Sequence, residues 1–314
     1  MKYDLIIVGA GPAGLTAAIY AKRRELNVLV IGKTVGGQMG IAHEVENWPG
    51  HISISGFELA ANIKAQAEKW GAEFVSAEVS LIEKTADGFN IKTDGGEYSA
   101  DSVVLAFGLT PRDLGVPGEK EFIGKGVSYC ATCDGPFFKN KTVTVVGDGN
   151  SALEAVEYLS KLAAKIIMIT KNPELKGEAV TVDYIKTLPN LEIKCCQQIQ
   201  EISGEGKVEK IKLLDTNTQA TTKVATDGIF IEIGYAPKTG WLKGTVDLNE
   251  KGEITTDKLT KTSVDGIFAA GDCADTGFKQ MIIAAGEGAK AALSAYKFVA
   301  AKKGKVATPD WGKR

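Results

Sequence analysis

No run of apolar residues in this chain reaches the roughly 18 needed to cross a bilayer. The first one, Leu5 to Val8, breaks at once into Gly9-Ala10-Gly11, so neither a membrane span nor a signal peptide is expected. An excess of one charge is also lacking: 37 basic against 39 acidic side chains leave a formal net charge of -2. That balance offers no field for nucleic acid or an anionic membrane, and leaves a neutral or acidic protein partner open. Cysteine is sparse, with five in 314 residues, too few and too irregular for a secreted disulfide framework. The expected compartment is the cytoplasm. Histidine is rarer still, at two, and both His43 and His51 fall in loop-like segments far in sequence from the candidate chemistry, so a histidine base has little backing.

What is present is enough apolar material for substantial cores, 44% hydrophobic against 24% charged, in a length that favours two domains. Tyr3 to Val8 is a nearly continuous apolar run, the pattern of a parallel strand buried on both faces. A glycine turn, an alanine-rich helical stretch to Lys22 and a second run, Val28 to Ile31, complete a βαβ unit with a right-handed crossover. The same order recurs from Thr142 to Val146, through Gly147-Asp148-Gly149-Asn150-Ser151-Ala152 and a helix to Leu162, into Ile166 to Ile169. Each unit is followed by alternating stretches, Phe74 to Ala100 and Leu191 to Thr226. Each then closes on a similar phrase, VVLAFGLTPR from Val103 and IFIEIGYAPK from Ile229, as an internal duplication would. Pro111 and Pro237 stop the strand ladders and suit crossings between domains.

Gly266 to Ala270, Gly271-Asp272 and an alanine-rich helix from Gln280 to Val299 repeat no complete unit, so they must complete something begun earlier. The expected fold is therefore α/β: two Rossmann-like dinucleotide-binding domains with parallel sheets and β-meander crossovers, one inserted in the other. Residues 1–112 with 240–314 would form the first domain and 113–239 the insert. The basic tail, Lys302 to Arg314, reads as a frayed solvated end.

Gly9, Gly11 and Gly14 form G-x-G-x-x-G between strand and helix. The first glycine permits the tight turn, the second lets a pyrophosphate approach the backbone, and the third lets helix pack on strand. The helix start supplies amides and dipole for the phosphates, and Pro12 suits the first helical turn. The acidic residue that usually holds a ribose hydroxyl at the second strand's end is missing; Ile31-Gly32-Lys33 stands there, and the Gly36-Gly37-Gln38 loop is a substitute. Asp272 follows the strand-like run IFAA, where its carboxylate can bond a ribityl hydroxyl. A helix starting near Gln280 would aim its dipole at the flavin's pyrimidine edge.

Cys130-Ala131-Thr132-Cys133 brings two sulfurs within one turn, a spacing a disulfide can bridge. At a helix start one thiol would be shifted toward the thiolate that exchange requires. Half a zinc site is the competing reading, but no second C-x-x-C exists, and the adjacent Cys195-Cys196 would point to opposite strand faces. Those two and Cys273 read as small buried hydrophobes. Asp134 adjoins the dithiol, although Asp134-Gly135 is equally a good turn pair.

The strings VGAGPAG, GGQ at Gly36 to Gln38, VENWPG at Val45 to Gly50, YCATCDG at Tyr129 to Gly135, GDGNSA and IFAAGD occur in this order over nearly the whole chain. In this the chain resembles the low-molecular-weight thioredoxin reductases. The resemblance implies FAD in the split domain, a nicotinamide nucleotide in the insert, a homodimer and thioredoxin as partner. By motif match the FAD site would comprise Gly9, Gly11, Pro12, Ala13, Gly14, Gly32, Gly37, Gln38, Asn47, Gly108, Gly271, Asp272, Gln280, Met281 and Ile282. The nicotinamide site would comprise Gly147, Gly149, Asn150, Ser151, Ala152, Lys171 and Lys176. Cys133 would take electrons from the flavin, Cys130 would exchange with the partner's disulfide, and Asp134 would serve as acid-base. With dithiol and nicotinamide in one insert, both cannot serve one flavin at once, so a hinge rotation is implied.

The chain departs from the family pattern at the 2′-phosphate clamp. Where NADPH-dependent members carry His-Arg-Arg and a further arginine, this sequence reads Thr170-Lys171-Asn172-Pro173-Glu174-Leu175-Lys176. Losing two charge-assisted contacts of about 1.5 to 3 kcal/mol each would weaken NADPH roughly 100-fold to 10,000-fold. No acidic residue at Thr170 favours NADH either, and ferredoxin or a reduced deazaflavin stays a candidate donor. The strand end Ala106-Phe107-Gly108 also departs, with a ring expected to alter flavin access. The competing functions are a dithiol oxidase passing electrons to oxygen and a non-catalytic nucleotide-sensing module.

Overall fold

The computed structural model describes residues 2–42, 44–242 and 244–307. It divides into two compact units, Met1–Thr110 with Ala236–Arg314, and Pro111–Tyr235. His43 and the last seven residues of the basic tail lie outside the described residues.

The first unit opens with β1 (Lys2–Val8), α1 (Pro12–Lys22), β2 (Val28–Ile31), α2 (Gly56–Lys69), β3 (Glu73–Val75), β4 (Val79–Thr85), β5 (Gly88–Thr93) and β6 (Gly96–Leu105). Their order in the sheet is β3-β2-β1-β6-β5-β4, with β1 parallel to both β2 and β6. Two-residue β7 (Thr110–Pro111) leads out of it.

The second unit holds β8 (Val127–Ser128), α3 (Ala131–Asp134), β9 (Thr142–Val146), α4 (Asn150–Ser160), β10 (Lys165–Ile169), α5 (Ala179–Ile185) and β11 (Leu191–Lys194). The meander β12 (Gln197–Ser203), β13 (Lys210–Asp215) and β14 (Thr221–Ala225) follows, then β15 (Gly228–Ile231). Its five-stranded sheet runs β11-β10-β9-β15-β8, all parallel, and the meander is a separate antiparallel sheet. The chain returns through β16 (Tyr235–Ala236), which pairs β7. The first unit then finishes with β17 (Ile267–Ala269) and α6 (Met281–Lys302).

Late β17 completes the first sheet because β6 is long enough to serve two neighbours on one side. Its first half pairs antiparallel with β5, Gly96 to Ala100, and its second half pairs parallel with β17, Val103 to Leu105. The alternation in β1 then sorts the cores: Leu5 and Ile7 face the cluster under α1, α2 and α6, while Ile6 and Val8 face the one under the β4–β5 hairpin. The second unit repeats the division, with Val143 and Val145 under α4 and α5, and Val146, Ile167 and Ile169 under the meander.

Two cysteines depart from the sequence reading. Cys195 and Cys196 are half-buried rather than buried, because they form the link between β11 and β12 instead of strand positions, and Cys196 has φ 56°. Cys273 is fully buried, and burial pushes its thiol up to about 11.

Candidate functional site

In the first unit the glycine turn between β1 and α1 is built by steric necessity. A Cβ on Gly9 (φ 112°) would lie 2.2 Å from the Ala106 carbonyl oxygen, and one on Gly14 would lie 1.9 Å from the Gly9 oxygen. Gly11, the N-cap of α1, has only the Gly36 oxygen within reach, at 3.9 Å. Two glycines are thus demanded by the protein's own backbone, while the middle one leaves open space over the helix start, where a pyrophosphate needs it. These residues fit a dinucleotide. Pro12 is the first residue of α1, and Ala13 is buried beneath it.

The other expected flavin residues belong to this same unit. Gly36 N–H donates to the Ala10 oxygen (2.7 Å), which ties the Gly36-Gly37-Gln38 loop to the turn, and Gln38 Nε2 donates to the Leu109 oxygen at 2.8 Å, beside Gly108 (φ 66°). Asn47 Nδ2 donates to Gln280 Oε1 at 3.3 Å, bringing together two residues 233 positions apart. Gln280 caps α6, whose first residues are Met281 and Ile282. Gly271 (φ 75°) sits against Ala13, and its N–H donates to Glu287 Oε2 at 2.8 Å. Burial pushes Asp272 above the usual carboxylate range, and the Glu287 charge adds to it against the pull of Lys279. Gly32 lies close to Ala10, an added Cβ falling 3.3 Å from that of Ala10. The Phe107 ring is turned onto Trp241, centroids 5.5 Å apart.

Sequence reasoning missed Lys279. Its Nζ donates to the Asp272 and Ala274 oxygens (3.0 and 2.7 Å) and pairs with Glu253 at 3.0 Å, pinning the loop that carries Asp272. Two unrelated carbonyls converging on one ammonium is a tertiary fact with no local pattern.

In the second unit, Cys130 and Cys133 form a disulfide with Cα atoms 5.3 Å apart. Cys130 is the N-cap of α3, and its Sγ accepts from Cys133 N–H at 3.2 Å. Ser128 Oγ accepts from Cys130 N–H at 3.1 Å, and Thr132 Oγ1 lies 3.4 Å from Cys130 Sγ. Cys133 is exposed and Cys130 half-buried. Asp134 is half-buried and closes α3, its N–H donating to the Cys130 oxygen.

Two carboxylates beside the dithiol had gone unread. Glu119 is 1% exposed and accepts from the N–H groups of Leu114 and Gly115, 2.7 Å each, and from Tyr129 Oη at 2.9 Å. It thereby anchors the residue preceding Cys130. Burial, then the Glu119 carboxylate, raises the Tyr129 phenol. Glu232, just beyond β15, accepts from the Ala131 N–H, the first residue of α3. Burial pushes its carboxyl up to about 7, with Glu154 of α4 contributing. A lone carboxylate ending the apolar run IFIE was the one available signal for Glu232.

The dinucleotide turn of this unit keeps its shape. A Cβ on Gly147 would lie 2.2 Å from the Glu232 oxygen, Ala152 is fully buried, and Gly149 has nothing within 4 Å. Asn150 and Ser151 open α4, and Asn150 Oδ1 accepts from Glu178 N–H at 2.8 Å. This backbone fits a nucleotide pyrophosphate. The expected clamp does not fit a 2′-phosphate: Lys176 Nζ is 3.7 Å from Asp148 Oδ2, already paired with an acid, and the site has no arginine in the stretch Thr170 to Lys176.

Residues 3–288 match the family described as pyridine nucleotide-disulphide oxidoreductase. A thioredoxin reductase of Treponema pallidum is 44% identical over 299 residues, covering 95% of this chain and 97% of that protein. The crystal structure of Lactococcus lactis thioredoxin reductase is 36% identical with a TM-score of 0.83, covering 96% of this chain and all of that one. A ferredoxin-flavin thioredoxin reductase from Clostridium acetobutylicum is 34% identical with a TM-score of 0.52, covering 94% and 97%. With glycine turns of the right build in both units, a C-x-x-C disulfide and matches of this extent, the chain belongs to the pyridine nucleotide-disulphide oxidoreductase family.

Proposed function

We propose that this protein is a thioredoxin reductase: an FAD-dependent enzyme that reduces the disulfide of thioredoxin or a thioredoxin-like protein through Cys130 and Cys133. The observation that carries the reading is the Cys130–Cys133 disulfide in a chain with a flavin-type turn and thioredoxin reductases as relatives along nearly its whole length.

Bound FAD would supply the electron pair, itself refilled by a nicotinamide nucleotide, a ferredoxin or a reduced deazaflavin. Two electrons and two protons convert the disulfide to two thiols, Cys133 being the sulfur that would receive them. Cys130, as thiolate, attacks one sulfur of the partner's disulfide, and the partner's other sulfur leaves as a thiolate and takes a proton. Asp134 accepts the proton of the Cys133 thiol, whose sulfur then attacks Cys130, reforming the internal disulfide and releasing the partner's second thiolate. The dithiol and the nicotinamide turn share one unit, so the two steps would serve one flavin in turn. We place the protein in the cytoplasm as a homodimer; among the described residues no helix is long and apolar enough to cross a membrane.

The test is anaerobic. Enzyme reduced with dithionite is freed of excess reductant and mixed with oxidised thioredoxin. Two thioredoxin dithiols formed per flavin reoxidised, one from the Cys130–Cys133 dithiol and one from the flavin, is the expected result. Unchanged flavin absorbance with no new thiol would overturn the reading.

A further inference from the structure

The second unit lacks an acid at the end of its second strand, but the fold brings one there from the turn. In the first unit the middle residue of Gly9-Ala10-Gly11 is directed at the end of β2, since an added Cβ on Gly32 would touch the Ala10 N and Cβ at 3.1 and 3.3 Å. The same place in the second turn is Asp148. Its carboxylate reaches the segment leaving β10: Asn172 Nδ2 donates to Oδ2, and Lys176 Nζ stands 3.7 Å away. The segment is held to the turn by its backbone too, Lys176 N–H donating to the Asp148 oxygen at 2.7 Å. Thr170 Oγ1 accepts from Asn172 N–H at 3.1 Å, which fixes the bend that presents Asn172.

In a βαβ dinucleotide site the end of the second strand is where an adenosine ribose is recognised, by an acid for a free 2′-hydroxyl and by an arginine for a 2′-phosphate. We infer that Asp148 selects the nucleotide: its carboxylate accepts the free ribose hydroxyls and repels a 2′-phosphate, so the donor site prefers an unphosphorylated adenosine such as that of NADH. Lys176 does not reverse this, because its Nζ stands 3.7 Å from Asp148 Oδ2 on a largely exposed side chain, where a single screened ammonium offers a phosphate little. Lys171 has no arginine fork with which to hold a phosphate bidentately. The inference rests on the second unit being the nicotinamide domain of the proposed reductase.

The test uses the flavin-loaded full chain and calorimetric titration with 5′-AMP and with 2′,5′-ADP, fragments that differ only in the 2′-phosphate. Wild type is expected to bind 5′-AMP at least about tenfold more tightly, the worth of one charge-assisted bond. Asp148→Asn, which keeps the shape and removes the charge, and Asp148→Ala should each move the ratio of the two affinities toward 2′,5′-ADP by about tenfold or more. Thioredoxin reduction by each dithionite-reduced variant, which needs the Cys130–Cys133 dithiol of the same unit as Asp148, will show that this unit is folded. A wild type that prefers 2′,5′-ADP, a ratio unchanged within twofold in both variants, or no binding of either nucleotide overturns the inference. The dithionite experiment on wild-type enzyme uses no nucleotide, so its outcome tests the reductase reading separately.

Discussion

Glu232 gives the molecule a pH dependence that can be worked out in advance. Its carboxyl is pushed up to about 7, first by burial and then by Glu154, against the one bond that favours the charged form, from the Ala131 N–H. The remaining ionisable neighbour, Tyr235, is itself raised by burial and by the Glu232 charge, so it brings no compensating cation. An unfolded glutamate ionises near pH 4.3. Between that value and pH 7 the folded chain holds a proton that the unfolded chain has lost, so stability contributed here falls as pH rises through this window and is flat above it. The gap corresponds to a full penalty of about 4 kcal/mol at about 1.4 kcal/mol per pH unit, and about 2 to 3 kcal/mol after allowing for screening of a side chain that is only half-buried.

Glu232→Gln keeps an oxygen for the Ala131 amide and removes the ionisation. Denaturant unfolding of both proteins, followed by a signal from the second unit at pH 5 and pH 8, reads the difference. The variant should gain about 2 kcal/mol on wild type in going from pH 5 to pH 8. In infrared difference spectra at pH 6 the wild type should show a protonated carboxyl that the variant lacks, roughly nine-tenths occupied. A stability difference independent of pH, or one that moves the other way, would refute the assignment of a neutral buried acid at this position.

Four other perturbations separate what holds the flavin from what holds the fold and from what carries electrons. Gly11→Ala meets only a 3.9 Å neighbour, so thermal unfolding of the apoprotein should stay within about 0.5 kcal/mol while FAD affinity drops at least tenfold by equilibrium dialysis. Gly14→Ala drives a methyl to within 1.9 Å of a backbone oxygen and should destabilise the apoprotein itself by several kcal/mol. Cys130→Ser and Cys133→Ser should each abolish thioredoxin reduction and leave bound FAD stoichiometric by absorbance, since neither thiol is expected to hold the cofactor. Glu119→Ala strips three donors of their acceptor at about 1 to 3 kcal/mol per orphaned group, so the urea midpoint should fall and the segment from Leu114 to Cys130 should lose protection in hydrogen exchange.

The sheets were legible because their strands are short apolar runs between glycine turns, a signal that survives without tertiary context. The same holds for Gly9, Gly11, Gly14 and Gly147, where spacing alone states what the backbone must do. The links were not legible in this way. Cys195 and Cys196 read as strand because the residues on both sides of them do, and only the positive φ at Cys196 reveals that the chain turns there. Glu119 and Lys279 are bound to partners that sequence cannot pair: one gathers two loop amides and a phenol, the other two carbonyls and an acid.

Asp148 shows why a correct motif can still give an incomplete chemistry. Sequence reasoning searched for the ribose ligand where the rule puts it, after the second strand, and found Thr170 and a lysine. The rule concerns a place in space, however, and two chain segments border that place: the end of the second strand and the middle of the glycine turn beside it. In the first unit the turn offers only the Ala10 methyl, and close packing on Gly32 leaves that corner to the tethered Gly36-Gly37-Gln38 loop. In the second unit the turn offers a carboxylate, and the strand end is reshaped around it through Asn172 and Lys176. Duplicated turns that share their first two glycines are thus free to carry an apolar or a charged middle residue, because that side chain does not support the turn and is constrained only by what the neighbouring strand end must hold.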